Sequence, residues 1–241
     1  MKRFYINKQI ELNTIVKIEG IEHNHIKNVM RMVEGDEIIL VCGDDYDYFA
    51  RIIKLTKGDT TVEIFDKKAN LYNPKSNVAV FQALVKSDNM SLFVQKLTEL
   101  GVKDFYPFES EFITSKDKFG KSSKLQDISN QSIKQCKRSK PMIVHNTLSF
   151  NELLTEIINY DIIIFANECE KNNALSPQNL ANKKVAIIIG SEGGFSTKEI
   201  EELIKCNAQS ISLGRRILRA ETAAIALTSV VMFMIGEWSY E

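Results

Sequence analysis

The chain has 241 residues, 44% of them apolar and 26% charged, which is ordinary for a soluble globular protein of one large domain or one small and one medium domain. Its 31 basic residues offset 31 acidic ones, so no global field draws the chain to nucleic acid or membrane, and any nucleic-acid surface has to be a local patch. Four cysteines without CxxC spacing (Cys42, Cys136, Cys169, Cys206) argue against zinc and against a disulfide framework, and fit reduced thiols in a cytoplasmic protein.

Residues 1–8 are basic but lack the apolar segment of a signal peptide. From there to about residue 70 the pattern is β-rich. Strands are expected over 37–41, 46–55 and 60–65, with turns at Cys42-Gly43-Asp44-Asp45 and Lys57-Gly58-Asp59 and one helix over 22–30. Turn signals at this regular spacing suggest a small barrel. The polar, Pro-containing run Ala69-Asn70-Leu71-Tyr72-Asn73-Pro74-Lys75 reads as a linker.

After it, strands alternate with helices. Strands are expected over 78–85, 105–108, 161–166, 185–189 and 211–213. Helices are expected over 91–100, 124–137, 149–158, 199–205 and 222–238. Apolar strands alternating with helices give a mostly parallel sheet covered on both faces. Gly101 follows its helix where a left-handed residue is favoured. Ser149 with Glu152, and Ser196 with Glu199, have the spacing of capping boxes. The longest apolar run, 222–235, is shorter than the roughly 20 residues that span a bilayer, so it reads as a buried helix or, if exposed, a subunit interface.

Two stretches near the C-terminus carry the chemistry. Ile187-Ile188-Ile189-Gly190-Ser191-Glu192-Gly193-Gly194-Phe195 is a buried strand ending in a Gly-rich turn before a capped helix. Leu213-Gly214-Arg215-Arg216-Ile217-Leu218-Arg219-Ala220-Glu221-Thr222-Ala223 is a second strand-turn-helix junction. Such junctions place free backbone N–H groups where open α/β sheets bind ligands. GxGxxG is absent, and Phe195 stands where a P-loop has its Lys, which disfavours a nucleoside triphosphate. On spacing alone the two turns equally fit plain turns with flexible glycines.

A basic stretch runs from Lys116 to Lys140, with Lys118, Lys121, Lys124, Lys134, Lys137 and Arg138 between and only Asp117 and Asp127 against them. It is either a solvated face or a phosphate-contacting patch, extended by Arg3, Lys27 and Arg31. His23 and His25 have no third ligand nearby, so they fit RNA contact or plain surface better than a metal site. Cys136 has basic neighbours that could lower its pKa, and it reads as incidental.

In order, Arg31-Met32, Lys86 with Met90, Gln95-Lys96, Glu99-Leu100-Gly101-Val102, Ser110-Glu111, Gln135 with Arg138 and Pro141, and the two C-terminal junctions resemble the bacterial 16S rRNA (uracil N3) methyltransferase family, of the SPOUT class. The resemblance covers nearly the whole chain, and its last two motifs together are specific. It implies a PUA-like barrel over 1–70, a trefoil-knotted α/β methyltransferase domain over 75–241, S-adenosylmethionine in the knot, a homodimer, and 16S rRNA of the small (30S) subunit as partner. It departs in three places: Arg215 stands where the family has Pro, Phe112 stands where an RNA-facing Arg is expected, and Ser87-Asp88-Asn89 after Lys86 stands where the family is more basic.

The resemblance implies a cofactor pocket of Ala166, Glu168, Ile189, Gly190, Glu192, Gly193, Gly194, Leu213, Gly214, Ile217, Leu218, Thr222 and Ala223, with no metal. RNA contacts are expected at Arg3, His25, Arg31, Lys86, Lys134, Lys137 and Arg138. Uracil N3 becomes nucleophilic only when its proton leaves. Arg219 is the choice for stabilising the resulting charge, and Glu221 for accepting the proton or orienting Arg219, with Glu192 a second base candidate. The alternative for the pair is a structural helix cap. Two other functions compete: a non-catalytic RNA-binding assembly factor, and a methyltransferase acting on a ribose 2′-hydroxyl.

Overall fold

The structure, a computed structural model, describes residues 1–113, 122–171, 173, 180 and 182–239. It divides into two compact units, one of Met1–Asn73 with Asn130–Pro141 and one of Pro74–Ser129 with Met142–Glu241. Reading the chain linearly puts the boundary at 70–75. It cannot assign 130–141 to the first unit, because that assignment depends on where the chain returns.

The first unit is a five-stranded mixed sheet in the order β1-β3-β4-β5-β2. β1 (Lys2–Tyr5) runs parallel to β3 (Glu37–Val41), while β4 (Tyr46–Leu55), β5 (Asp59–Ala69) and β2 (Ile15–Glu19) pair antiparallel. Alternation in β2 turns Val16 and Ile18 inward, onto a core that holds Phe4, Ile26, Leu40, Tyr48, Ile52 and Ile64. β1 and β2 escape the sequence reading, because one is four residues long with two charges and the other has a Lys between its apolar residues. The expected 22–30 helix is a short α1 (Gly20–Asn24) continued by a π-turn, His25–Val29, which ends before Arg31 at φ +53°.

The second unit is a six-stranded, wholly parallel sheet in the order β11-β9-β10-β6-β7-β8. Its strands are β6 (Asn77–Ala83), β7 (Asp104–Phe108), β8 (Ile143–Val144), β9 (Ile162–Ala166), β10 (Lys184–Ile189) and β11 (Gln209–Ile211). Alternate residues of one strand face opposite cores. Val78 and Val80 join Phe93 and Leu97 of α2 (Ser87–Leu100) and Leu227 and Val231 of α6 (Ala220–Ile235). Ala79 and Phe81 join Leu153 of α4 (Phe150–Ile157) and Leu203 of α5 (Thr197–Lys205). α3 spans Ser122–Cys136. Gly101 ends α2 at φ +102°, and both capping boxes form. Because β9, β10 and β11 are parallel and lie on one side of β6, the turns after them emerge at the same end of the sheet.

A cleft at the ends of three parallel strands

Those three turns enclose a cleft of about 440 Å³. Ala166, Asn167 and Glu168 come from the end of β9, and residues 189–192 with Gly194 from the end of β10. Residues 212–221 with Ala223 follow β11 and open α6, and Lys86 and Asn89 complete the wall.

Polar groups hold the turns after β9 and β10. Asn167 N–H donates to Ile211 O at 2.9 Å, its Nδ2 donates to Ser210 Oγ at 3.1 Å, and its Oδ1 accepts from Cys169 N–H at 3.0 Å. Gln82, fully buried on β6, donates from Nε2 to Gly190 O at 3.1 Å. Gly194 N–H donates to Ser191 O at 3.0 Å, with Gly194 at φ +70°, which favours glycine. A Cβ on Gly193 would lie 2.9 Å from Phe112 Cβ, so Phe112 packs directly on the turn. Phe112 O also accepts from Ser191 Oγ at 3.0 Å. Beneath, the buried Glu199 does more than close its capping box. Its Oε2 accepts from Ser196 N–H at 2.9 Å and Ser110 Oγ at 3.3 Å, and its Oε1 from Glu111 N–H at 2.9 Å. One carboxylate thus ties residues 110–111 to the start of α5.

Of the residues expected at a cofactor pocket, Ala166, Glu168, Ile189, Gly190, Glu192, Gly194, Leu213, Gly214, Ile217, Leu218 and Ala223 line the cleft. Gly193 and Thr222 do not: Gly193 serves the contact with Phe112, and Thr222 is exposed. Lys86, expected at RNA, lines the cleft, as does Asn167, whose loop Ala166-Asn167-Glu168 the resemblance implies as the third wall of the pocket; Ser191, Ser212, Arg215 and Arg216 line it too, none of them expected there. Their position on strand-end turns is the signal that could have found them. Apolar Ile189, Leu213, Ile217 and Leu218 share the cleft with carboxylates of Glu168, Glu192 and Glu221 and cations of Lys86, Arg215, Arg216 and Arg219. Arg219 is the N-cap residue of α6 and makes no side-chain cap; its side chain is 87% exposed, with Nη1 3.9 Å from Glu221 Oε1. An ion pair this long and exposed contributes little to stability.

In the first unit, several expected RNA contacts are engaged internally. Arg3 is paired bidentately with Asp47, Nη2 to Oδ2 at 2.7 Å. Lys134 pairs with Glu22 at 2.9 Å, and Arg138 is buried. Arg31 and Lys137 are exposed, and His25 sits edge-on to Phe4 at 5.6 Å. His23 is a core residue rather than a surface one, with Nδ1 2.8 Å from Thr60 Oγ1. Lys116, Asp117, Lys118 and Lys121 of the basic stretch lie outside the described residues. Among the described residues, no group of three or more His, Cys, Asp or Glu is placed to hold a metal, and no helix is long and apolar enough to cross a membrane.

Residues 72–232 match the model of the RNA methyltransferase domain, and residues 19–65 that of the RNA methyltransferase PUA domain. Ribosomal RNA small subunit methyltransferase E of Mesomycoplasma hyopneumoniae is 32% identical, over 94% of this chain and 97% of its own. The protein of the same name from Rickettsia conorii is 30% identical, over 96% and 95%. Among solved structures, a Legionella pneumophila protein described as a methyltransferase, in complex with S-adenosylmethionine, superposes with a TM-score of 0.90 at 25% identity over 96% of each chain.

Proposed function

This chain belongs to the RNA methyltransferase family, and from that premise we propose that it uses S-adenosylmethionine to methylate N3 of one uridine in the 16S rRNA of the small ribosomal subunit. The observation that carries the reading is the cleft, in which an apolar wall, the carboxylates of Glu168 and Glu192 and the Arg219–Glu221 pair meet at the ends of three parallel strands. Its volume lies within the range of small-molecule sites, roughly 300–1,000 Å³.

The residues present fit the cofactor. Ile189, Leu213, Ile217 and Leu218 offer apolar surface to a purine, and the tight turn through Gly190 and Gly194 brings backbone to it without a phosphate cradle. Glu168, whose Oε1 would be 3.3 Å from a Cβ on Gly194, and Glu192 offer acceptors to hydroxyl and ammonium groups. When bound, S-adenosylmethionine supplies an electrophilic methyl group on a sulfonium.

The chain's own part is to position the uracil and ionise it. Glu221 accepts the N3 proton, and Arg219 faces the charge that then spreads to O2 and O4. Arg219 sits in solvent with only a 3.9 Å contact to Glu221, so it is available to a base entering the cleft. Around the mouth, Lys86 presents a further cation, and Arg31 and Lys137 serve RNA in the first unit. Arg3, Lys134 and Arg138 act there through structure, and His25 through packing on Phe4. A cytoplasmic homodimer that uses no metal completes the reading. Exposed Val230 and Phe233 on α6, with Trp238 beyond it, supply an apolar patch suited to a subunit contact.

The test is nucleoside mass spectrometry of 16S rRNA from a strain lacking the protein, before and after incubation with the purified chain and S-adenosylmethionine. Appearance of 3-methyluridine is expected. Appearance of a 2′-O-methylated nucleoside would move the chemistry to ribose, and binding without turnover would make the chain an assembly factor.

A further inference from the structure

Residues 69–73, a linker by composition, are folded against the end of α3 by two asparagine side chains. Asn70 Oδ1 accepts from Tyr72 N–H at 2.9 Å, while its Nδ2 donates to Asp47 Oδ1 at 2.7 Å and to Lys137 O at 2.9 Å. Asn73 Oδ1 accepts from the N–H groups of Ser139 and Lys140 at 3.1 and 3.0 Å. Asn70 N–H donates to Asp45 O at 2.8 Å, and Ala69 pairs with Tyr46, so the segment runs on directly past Tyr46. One amide therefore fixes both Tyr72 and Lys137, the latter at φ +68°, a backbone conformation uncommon for such a side chain.

What these bonds hold in place faces solvent. Tyr46 is 38% exposed and Tyr72 52%. Lys67 Nζ lies 3.7 Å from the centre of the Tyr46 ring, and Lys137 Nζ 5.3 Å from that of Tyr72. Among the described residues neither ammonium has a carboxylate partner, whereas Arg3 and Lys134 in the same unit do. Ordered backbone, exposed rings and unpaired cations together do nothing for the core of this unit.

We propose that Tyr46 and Tyr72, with Lys67 and Lys137 beside them, form a stacking platform for unpaired nucleotides of the RNA substrate; this rests on the reading that the substrate is RNA. A nucleobase presents a π-face that can replace the ammonium over a phenol ring, and each lysine, on its flexible stem, then reaches a phosphate of the same strand. A single strand supplies bases and phosphates together. A duplex keeps its bases stacked on one another and offers the rings nothing. An acidic protein would meet the cations and leave the rings unused.

The test uses the full chain, a single-stranded oligouridine, a duplex of the same length and an unmodified 16S rRNA transcript, with direct binding and methyl transfer measured in parallel. Tyr46→Ala and Tyr72→Ala are each expected to weaken single-strand binding about tenfold, the order expected for loss of one stacked base. The salt slope should be unchanged in both. Tyr72→Trp should retain affinity, and Tyr46→Leu, which preserves an apolar strand residue, should behave as the alanine variant does. Lys67→Met and Lys137→Met should each reduce the salt slope by about 0.7. Thermal midpoint and S-adenosylhomocysteine affinity should stay at parental values throughout. Folded Tyr46→Leu and Tyr72→Ala proteins that bind the oligonucleotide as tightly as the parent overturn the platform, as does duplex binding with the same tyrosine dependence. Tyrosine-dependent binding by a parent that transfers no methyl group refutes the proposed reaction and leaves the platform standing. Methyl transfer with unaffected variants refutes the platform alone.

Discussion

Replacing Glu199 by Ala tests whether one buried carboxylate holds the cleft's central turn together. Glu199 is 5% exposed and accepts from two backbone N–H groups, Ser196 and Glu111, and from the Ser110 hydroxyl. The buried Ser196 N–H left unpaired costs about 1–3 kcal/mol and loss of the part-buried Glu111 bond about 0.5–1.5 kcal/mol, together roughly 1.5–4.5 kcal/mol. At about 2–4 °C per kcal/mol for a chain of this size, the thermal midpoint should fall by roughly 3–18 °C. Glu199→Gln keeps one acceptor but turns an NH₂ toward the other donors, so its fall should be smaller. Because Glu111 precedes Phe112, which packs on Gly193, loosening this attachment should also weaken S-adenosylhomocysteine binding, measured by calorimetry well below the midpoint. An alanine variant that melts within about 1 °C of the parent would refute the reasoning.

Arg219→Ala should lower the single-turnover methylation rate by roughly 10²–10³, as for loss of an oxyanion donor, with little change in melting because the side chain is 87% exposed. Glu221→Gln should be slow at neutral pH and regain rate at alkaline pH; a loss that tracks only the folded fraction would return both residues to a helix-end role. Gly193→Ala places a methyl 2.9 Å from Phe112 Cβ and should weaken S-adenosylhomocysteine binding, with Phe112→Gly in the same chain, which removes that Cβ, restoring it; no rescue would mean that the crowding lies elsewhere. Burial, with Asp104 and Glu156 nearby, pushes the Tyr106 hydroxyl up to about 12 from its ordinary 10. A raised folded value favours the protonated form. Its contribution is therefore complete below pH 10 and is lost as pH climbs toward 12. Urea midpoints should fall over that window less steeply in Tyr106→Phe, and equal slopes would exclude Tyr106 as a source. Phe233→Glu with Trp238→Glu should give the monomer mass by light scattering where the parent gives twice 27.4 kDa, and a monomeric parent would remove the dimer.

Local chemistry determined much of this protein directly. Apolar runs such as Val185-Ala186-Ile187-Ile188-Ile189 mark buried strands by their composition, and Ser149 with Glu152 and Ser196 with Glu199 close their boxes because both partners lie within one turn. The two C-terminal junctions were legible for the same reason, each being a strand, a turn and a helix start in sequence order. The strand order β11-β9-β10-β6, which brings those junctions to a common cleft with Glu168, was not legible, since it depends on pairing between segments far apart in the chain. Nor were the second duties of short-range motifs: Glu199 closes a local cap and also holds Ser110 and Glu111, 89 and 88 residues away. Charge misled most. Arg3, Lys134 and Arg138 look like a phosphate patch in one dimension. The fold brings Asp47 to Arg3 and Glu22 to Lys134, and buries Arg138. A cation's availability depends on what lies across from it in space, and only the tertiary structure decides that.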